Sequence, residues 1–184
     1  MSDYTDFWKT CEALDSNVRL DLLRYLIFDK NKFPCVIEIA EIFDMCVSAV
    51  SAYLTKMCDV GLVSSKREER RVYYRAFATN ETGARTIESL TDFFTAQPSR
   101  ERVAQLAKCI RALSHYRRNA VVNLLHRNPG LDINEISRQL DMPRTTAGRI
   151  LFQLNKARIV ALDNTVRIPD FEPERTLVTL TVSG

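Results

Sequence analysis

Apolar residues recur at helical spacing over most of the chain. A helix over about 6–14 would place Phe7, Cys11 and Leu14 on one face, and Asp15-Ser16 breaks and caps it. The next, about 17–28, would bury Val18, Leu22, Tyr25 and Leu26. A short helix over 36–43 turns Ile39, Ile42 and Phe43 inward, and Asp44-Met45-Cys46 forms a turn. The helix over 47–59 carries Val50, Leu54 and Met57 on its apolar side and ends at Gly61, in the position of a left-handed cap. Residues 62–66 and 72–77 read as two strands joined by the polar hairpin Arg67-Glu68-Glu69-Arg70. A helix over 81–96 follows, capped by Thr79-Asn80, with Ala84, Ile87, Leu90, Phe93 and Phe94 apolar.

The pattern then starts again. Helices are predicted over about 100–113 and 115–127, with Val121, Val122, Leu124 and Leu125 apolar in the latter, and Asn128-Pro129-Gly130 makes a turn. Asp132 and Glu135 have capping-box spacing and open a short helix to about Leu140. Pro143 leads into a helix over 144–157, and 159–162 and 166–168 read as a strand and its return across Asp163-Asn164. Thr176 to Val182 alternates as a further strand. Ala13-Leu14, Arg19, Leu22, Leu23 and Leu26 are matched 99 residues later by Ala112-Leu113, Arg118, Val121, Val122 and Leu125. Glu38-Ile39, Phe43-Asp44-Met45 and Leu54 are matched 97 residues later by Glu135-Ile136, Leu140-Asp141-Met142 and Leu151.

Self-similarity of this size predicts two copies of one small domain, divided at Gln97-Pro98-Ser99 into 1–97 and 98–184. The order helix, helix, short helix, turn, helix, hairpin is the plan of a winged helix-turn-helix. The expected fold is therefore mainly α with small β-wings, an α+β chain of tandem winged helix-turn-helix domains. In the first domain, helix 81–96 would link the copies or form a dimer seam.

Composition adds bounds. The 184 residues are 46% apolar and carry a net charge of +3. No apolar run reaches the ~18–20 residues of a membrane span, and the acidic N-terminus lacks signal-peptide order, so a cytoplasmic protein without membrane association is expected. The five cysteines, an odd number without a CxxC pair, predict reduced thiols. Five glycines form no phosphate-binding loop, and no nucleophile has a plausible base, so neither an enzyme nor a cofactor is expected. His115 and His126 have no carboxylate or thiol at chelating spacing, so no metal site is predicted.

Charge placement says more than its total. Lys66, Arg67, Arg70 and Arg71 cluster on the first hairpin, where they would meet phosphates. Across from the apolar side of helix 47–59 lie Ser48, Ala49, Ser51, Ala52, Thr55 and Lys56, small or hydrogen-bonding residues that permit close approach to a duplex. The equivalent helix of the second copy offers Arg144, Thr145, Thr146 and Arg149, and arginine can bond a guanine edge with two donors.

Residues 13–20 (Ala-Leu-Asp-Ser-Asn-Val-Arg-Leu), 47–54 (Val-Ser-Ala-Val-Ser-Ala-Tyr-Leu), Val60-Gly61-Leu62-Val63 and 70–75 (Arg-Arg-Val-Tyr-Tyr-Arg) fall in the order of four motifs. Over residues 7–96 the chain resembles the ArsR/SmtB family of bacterial winged-helix repressors. The resemblance implies a dimeric, promoter-binding repressor that meets its twin through helices 6–14 and 81–96. Cys35 matches the first thiol of the family's Cys-x-Cys metal site, but Ile37 stands at the second, and helix 81–96 has no histidine. Cys11 and Cys35 are the only weak metal candidates.

The expected partner is double-stranded DNA, bound by a homodimer or by one chain acting as a pseudo-dimer. Two other readings fit the same pattern: a winged-helix protein–protein interaction module, and a thiol- or metal-responsive sensor.

Overall fold

The computed structural model describes residues 7–29, 33–162 and 166–167. Among them are nine helices and two small antiparallel hairpins, so the chain is mainly helical with a minor β component. No described helix is long and apolar enough to cross a membrane.

The chain divides into two compact units. The first, Ala13–Pro98, contains α2 (Asn17–Phe28), α3 (Val36–Ile42), α4 (Val47–Asp59), the strands β1 (Val63–Glu68) and β2 (Arg71–Ala76), and α5 (Glu81–Thr95). The second joins the described residues 7–12 to those from Ser99 onward. It contains most of α1 (Phe7–Ala13), with α6 (Arg100–Leu113), α7 (Tyr116–Arg127), α8 (Ile133–Gln139), α9 (Arg144–Lys156), and the strands β3 (Ala161–Leu162) and β4 (Val166–Arg167). The boundary falls one residue beyond the expected one, but residues 7–12 group with the second unit rather than the first. Their contacts explain it: Trp8 meets the Tyr116 ring edge-on at 6.4 Å between centroids, and Cys109 is close enough to Cys11 to help raise its thiol pKa.

Three helix pairs of the repeat match in their bounds. α2 and α7 have the same bounds at an offset of 99, while α3 and α8, and α4 and α9, coincide at 97. The backbone at the helix ends follows the same frame. α3 ends with Asp44 at φ 50° and α8 with Asp141 at φ 45°. There Met45 N–H donates to Ala40 O at 2.9 Å, and Met142 N–H to Ser137 O at 3.0 Å. α4 ends with Gly61 at φ 79° and α9 with Arg158 at φ 60°; Leu62 N–H donates to Met57 O and Ile159 N–H to Leu154 O, each at 2.9 Å. All four ends are Schellman motifs, in which a left-handed residue lets its own amide and the next one satisfy the last carbonyls. The capping box is equally shared. Asp132 Oδ1 accepts from Glu135 N–H at 2.9 Å, and Glu135 accepts from Asp132 N–H at 2.9 Å; 97 residues earlier, Glu38 accepts from Cys35 N–H at 2.8 Å.

In the first unit Leu20, Leu22, Leu23 and Leu26 of α2 are buried with Ile39, Val50, Leu54, Met57 and Leu62. α2 packs on α5 and β2, and α3 on α4. In the second, Leu106, Ile110, Val121, Val122, Leu125, Ile136, Leu151 and Leu154 are buried, with α7 and α8 both packed on α9. Arg19 is buried in the first core's margin: it bonds Asp15 and Ser16 Oγ and lies 5.7 Å from the Tyr53 ring of α4.

Several expected core positions are outside it. Val18 and Ile42 are 38% and 59% exposed. Leu20 and Leu23 take the inner face of α2, and Ile42 ends α3 immediately before its Schellman turn, where the chain leaves the core. On α5 the buried face is Gly83, Thr86, Leu90, Phe93 and Phe94, so it is rotated away from Ala84. Thr86 fits there because its hydroxyl donates to Thr82 O at 2.8 Å, which satisfies the polar atom within the helix. The first strands also run further than expected, through Arg67↔Val72 and Glu68↔Arg71, which leaves a two-residue turn with Glu69 at φ 52°. Of the second hairpin the pairs Ala161↔Arg167 and Leu162↔Val166 are formed. The expected turn at Asp163-Asn164 and the strand over 176–182 lie outside the described residues.

Candidate functional site

Each unit presents a thirteen-residue helix that follows a tight turn, α4 after Phe43–Cys46 and α9 after Leu140–Pro143. On α4 the apolar triplet Val50, Leu54 and Met57 is buried. Ser48, Ala52, Thr55 and Lys56 are exposed on the other side. Ala49 and Ser51 are only half-buried rather than open. Ser51 has an internal role: burial pushes the Tyr74 phenol up, and a hydrogen bond from Ser51 partly offsets this.

α9 differs in charge. Ala147, Ile150, Leu151 and Leu154 anchor it. Arg144, Thr145 and Arg149 are exposed, and Thr146 is half-buried. The sequence of α9, RTTAGRILFQLNK, contains no acidic residue. Among the described residues neither Arg144 nor Arg149 enters an ion pair. Pro143 at the N-cap offers no side-chain acceptor, so no side chain caps the first turn. Gly148 permits a close approach to α8, since a Cβ there would lie 3.3 Å from the Ile133 side chain.

Three residues on this outer face were not singled out from the sequence: Phe152, Gln153 and Lys156, all exposed. The signal was available. Once Ile150, Leu151 and Leu154 are assigned inward, 152, 153 and 156 fall on the far side of a 3.6-residue period. Gln153 is held from α7, where Arg118 donates to its Oε1 at 3.3 Å and to Arg111 O at 3.0 Å. Burial holds the Arg118 guanidinium below its ordinary range.

The cations of the first hairpin do not form one surface. Strand alternation places Lys66, Glu68, Arg71 and Tyr73 on one face and Arg67 with Val72 and the buried Tyr74 on the other. Lys66 Nζ lies 2.6 Å from Glu68 Oε1, and Arg71 stands opposite the same glutamate. Arg70 occupies the turn. All four cations are exposed. A fifth, Arg75, is committed to structure: its Nε donates to Ser64 Oγ at 3.1 Å, and its guanidinium lies 5.0 and 4.2 Å from the Phe33 and Phe77 rings.

The two weak metal candidates fall in different units, Cys11 in the second and Cys35 in the first, and both are buried. Burial drives the Cys11 thiol well above the ordinary range, with Cys109 adding to the effect. Among the described residues no group of three His, Cys, Asp or Glu side chains could hold a metal ion. His115, at the N-cap of α7, accepts from Arg117 N–H at 3.2 Å. Burial, with Arg118 and Arg117 nearby, lowers its pKa. The sequence matches no family model and no curated protein.

Proposed function

We propose that this chain is a sequence-specific double-stranded DNA-binding transcriptional regulator made of two winged helix-turn-helix units, the first similar to ArsR/SmtB repressors. α4 and α9 enter major grooves, the β1–β2 hairpin rides on the phosphate backbone, and the bound protein occludes a promoter. One observation carries the reading: α9 turns outward a face with Arg144, Arg149 and Lys156 and no carboxylate, above an uncapped first turn whose amides suit phosphate. The small outer residues of α4 fit a subordinate role, close approach with little base discrimination.

The apolar residues of α5 bear on stoichiometry. Leu90, Phe93 and Phe94 are already buried within the single chain, so they leave little apolar seam for a second copy. This supports the pseudo-dimer, one chain reading two unlike half-sites, over a homodimer joined through helices 6–14 and 81–96.

The test is a salt titration of duplex affinity with the full chain. Phosphate-driven binding gives a linear fall of log K against log salt, with a slope of about −0.9 for each phosphate neutralised. A slope near zero, or no binding to random duplex at low salt, overturns the reading. A protein-binding role for the first unit has one observation in its favour: Ile37 and Val47, 46% and 42% exposed, line a surface hollow of about 470 Å³ with Met45 and Cys46. Absence of duplex binding at low salt would bring that role forward.

A further inference from the structure

Phe152 is 64% exposed, although Leu151 beside it is 4% exposed and Leu154 fully buried. It contributes nothing to the core of its unit, and an exposed ring keeps apolar area in water. Its place is specific. It lies one turn beyond Arg149 and one turn before Lys156, on the outer face that also carries Arg144 and Thr145. An apolar ring flanked by cations, on a helix without carboxylates, matches one polyanion feature in particular. In the DNA major groove every base edge presents hydrogen-bonding atoms, and only thymine adds an apolar group, its 5-methyl. A phenyl ring set against an amino or carbonyl edge would strip water from it without replacing the hydrogen bond.

We infer that Phe152 is a specificity-determining residue that packs on the 5-methyl group of a pyrimidine, selecting thymine over cytosine at one position of the bound site. The inference rests on the reading of α9 as a groove-entering helix and deepens it. Eight residues separate Arg144 from Phe152, a rise of about 12 Å along the helix. At about 3.4 Å per base pair, a guanine read by Arg144 and the methyl read by Phe152 lie roughly three to four pairs apart. The two contacts therefore define a short signature, a guanine and a methyl-bearing base at fixed separation.

The experiment uses the full chain. Duplexes are first selected from a random pool, and each thymine of the recovered site is then replaced singly by deoxyuridine, which removes the methyl and leaves base pairing intact. The expected result is one position where replacement weakens binding about fourfold, the effect of losing one buried methyl group. Phe152→Ala binds the thymine and deoxyuridine duplexes equally, and Phe152→Leu retains part of the preference. Circular dichroism melts of both variants verify the fold, which an exposed position leaves intact. Three outcomes overturn the inference while salt-dependent DNA binding stands: deoxyuridine tolerated at every position, a penalty that persists in Phe152→Ala, or a pool that yields no preferred sequence. Absence of duplex binding at low salt overturns both this inference and the reading on which it rests.

Discussion

The carbonyl oxygen of Gly61 occupies the space where a side chain on Gly83 would begin: a Cβ at Gly83 would lie 2.2 Å from it. The contact joins the end of α4 to the start of α5. Asn80 completes the junction by donating from Nδ2 to Val60 O at 3.0 Å and accepting from Gly83 N–H at 2.7 Å. Because the obstructing atom is backbone, a side chain at Gly83 requires α5 to move. Gly83→Ala is expected to destabilise the first unit by about 1–3 kcal/mol, the range of overpacked positions, despite alanine's higher helix propensity. Chemical denaturation followed by circular dichroism checks it; an unchanged midpoint would mean that the junction yields freely.

Arg158 stands where Gly61 stands in the other copy, at φ 60° and without the freedom of glycine. A non-glycine residue in the left-handed region costs about 1–2 kcal/mol. Arg158→Gly is therefore expected to stabilise the second unit by about 1 kcal/mol, less what glycine loses in unfolded-chain entropy. The reciprocal change Gly61→Ala should destabilise, since its Cβ would also lie 2.2 Å from Asn80 Nδ2. A rise in the melting temperature for one variant and a fall for the other is the expected pair of readings.

These two positions show what was legible in the sequence. The helix bounds and the turn at Gly61 followed from periodicity and a glycine, but no local signal marks Arg158 as left-handed. Only its register with Gly61 does. The inward faces of α2 and α5 were misjudged for a related reason. Val18 lies within the helical period, yet Leu20 and Leu23 compete for the same core, and a polar residue such as Thr86 is buried once its hydroxyl finds a carbonyl. At the candidate site, Arg144 and Arg149 could be named from composition alone. A phenylalanine in an apolar run reads as core, which masks Phe152, and the inward bond of Ser51, named from the sequence only as an outer-face residue, depends on Tyr74 of a distant strand. The grouping of residues 7–12 with the second unit is likewise set by long-range contacts that periodicity does not encode.

Cys46, exposed at the N-cap of α4, is held below the ordinary thiol range, first by a hydrogen bond from Ser48, whose Oγ lies 3.4 Å from its sulfur, and next by the Ala49 amide. Its thiolate therefore forms at lower pH than that of a free cysteine. Burial pushes Cys58 up, and pushes Cys109 up to about 11. Iodoacetamide near pH 8 should label Cys46 first, followed by Cys58, with Cys11, Cys35 and Cys109 reacting only on unfolding. Peptide mass spectrometry against time reads the order, and Ser48→Ala should slow the Cys46 reaction. The sign for Cys109 is opposite. A raised folded-state pKa stabilises the protonated thiol, so that stability is present below the ordinary thiol range and is lost as pH rises through about 11.

The exposed cations should separate into three behaviours if the chain reads DNA as proposed. Arg144→Ala and Arg149→Ala remove donors from a face with no neighbouring carboxylate, so each should relax sequence preference at one position by about 1–3 kcal/mol where the arginine meets a guanine. Arg67→Ala and Arg70→Ala should instead weaken binding to all duplexes alike and make the salt slope shallower by about 1 each, because a hairpin on the backbone touches phosphates and not bases. Lys66→Ala should change least. Its ammonium is already 2.6 Å from Glu68 Oε1, and a phosphate must compete with that carboxylate. Removing Glu68 tests the same balance from the other side: Glu68→Gln frees Lys66 and relieves Arg71 of the carboxylate opposite it, so nonspecific affinity should rise and the salt slope should steepen. If Lys66→Ala weakened binding as much as Arg70→Ala, the Lys66–Glu68 pair would have to open on the duplex at little cost.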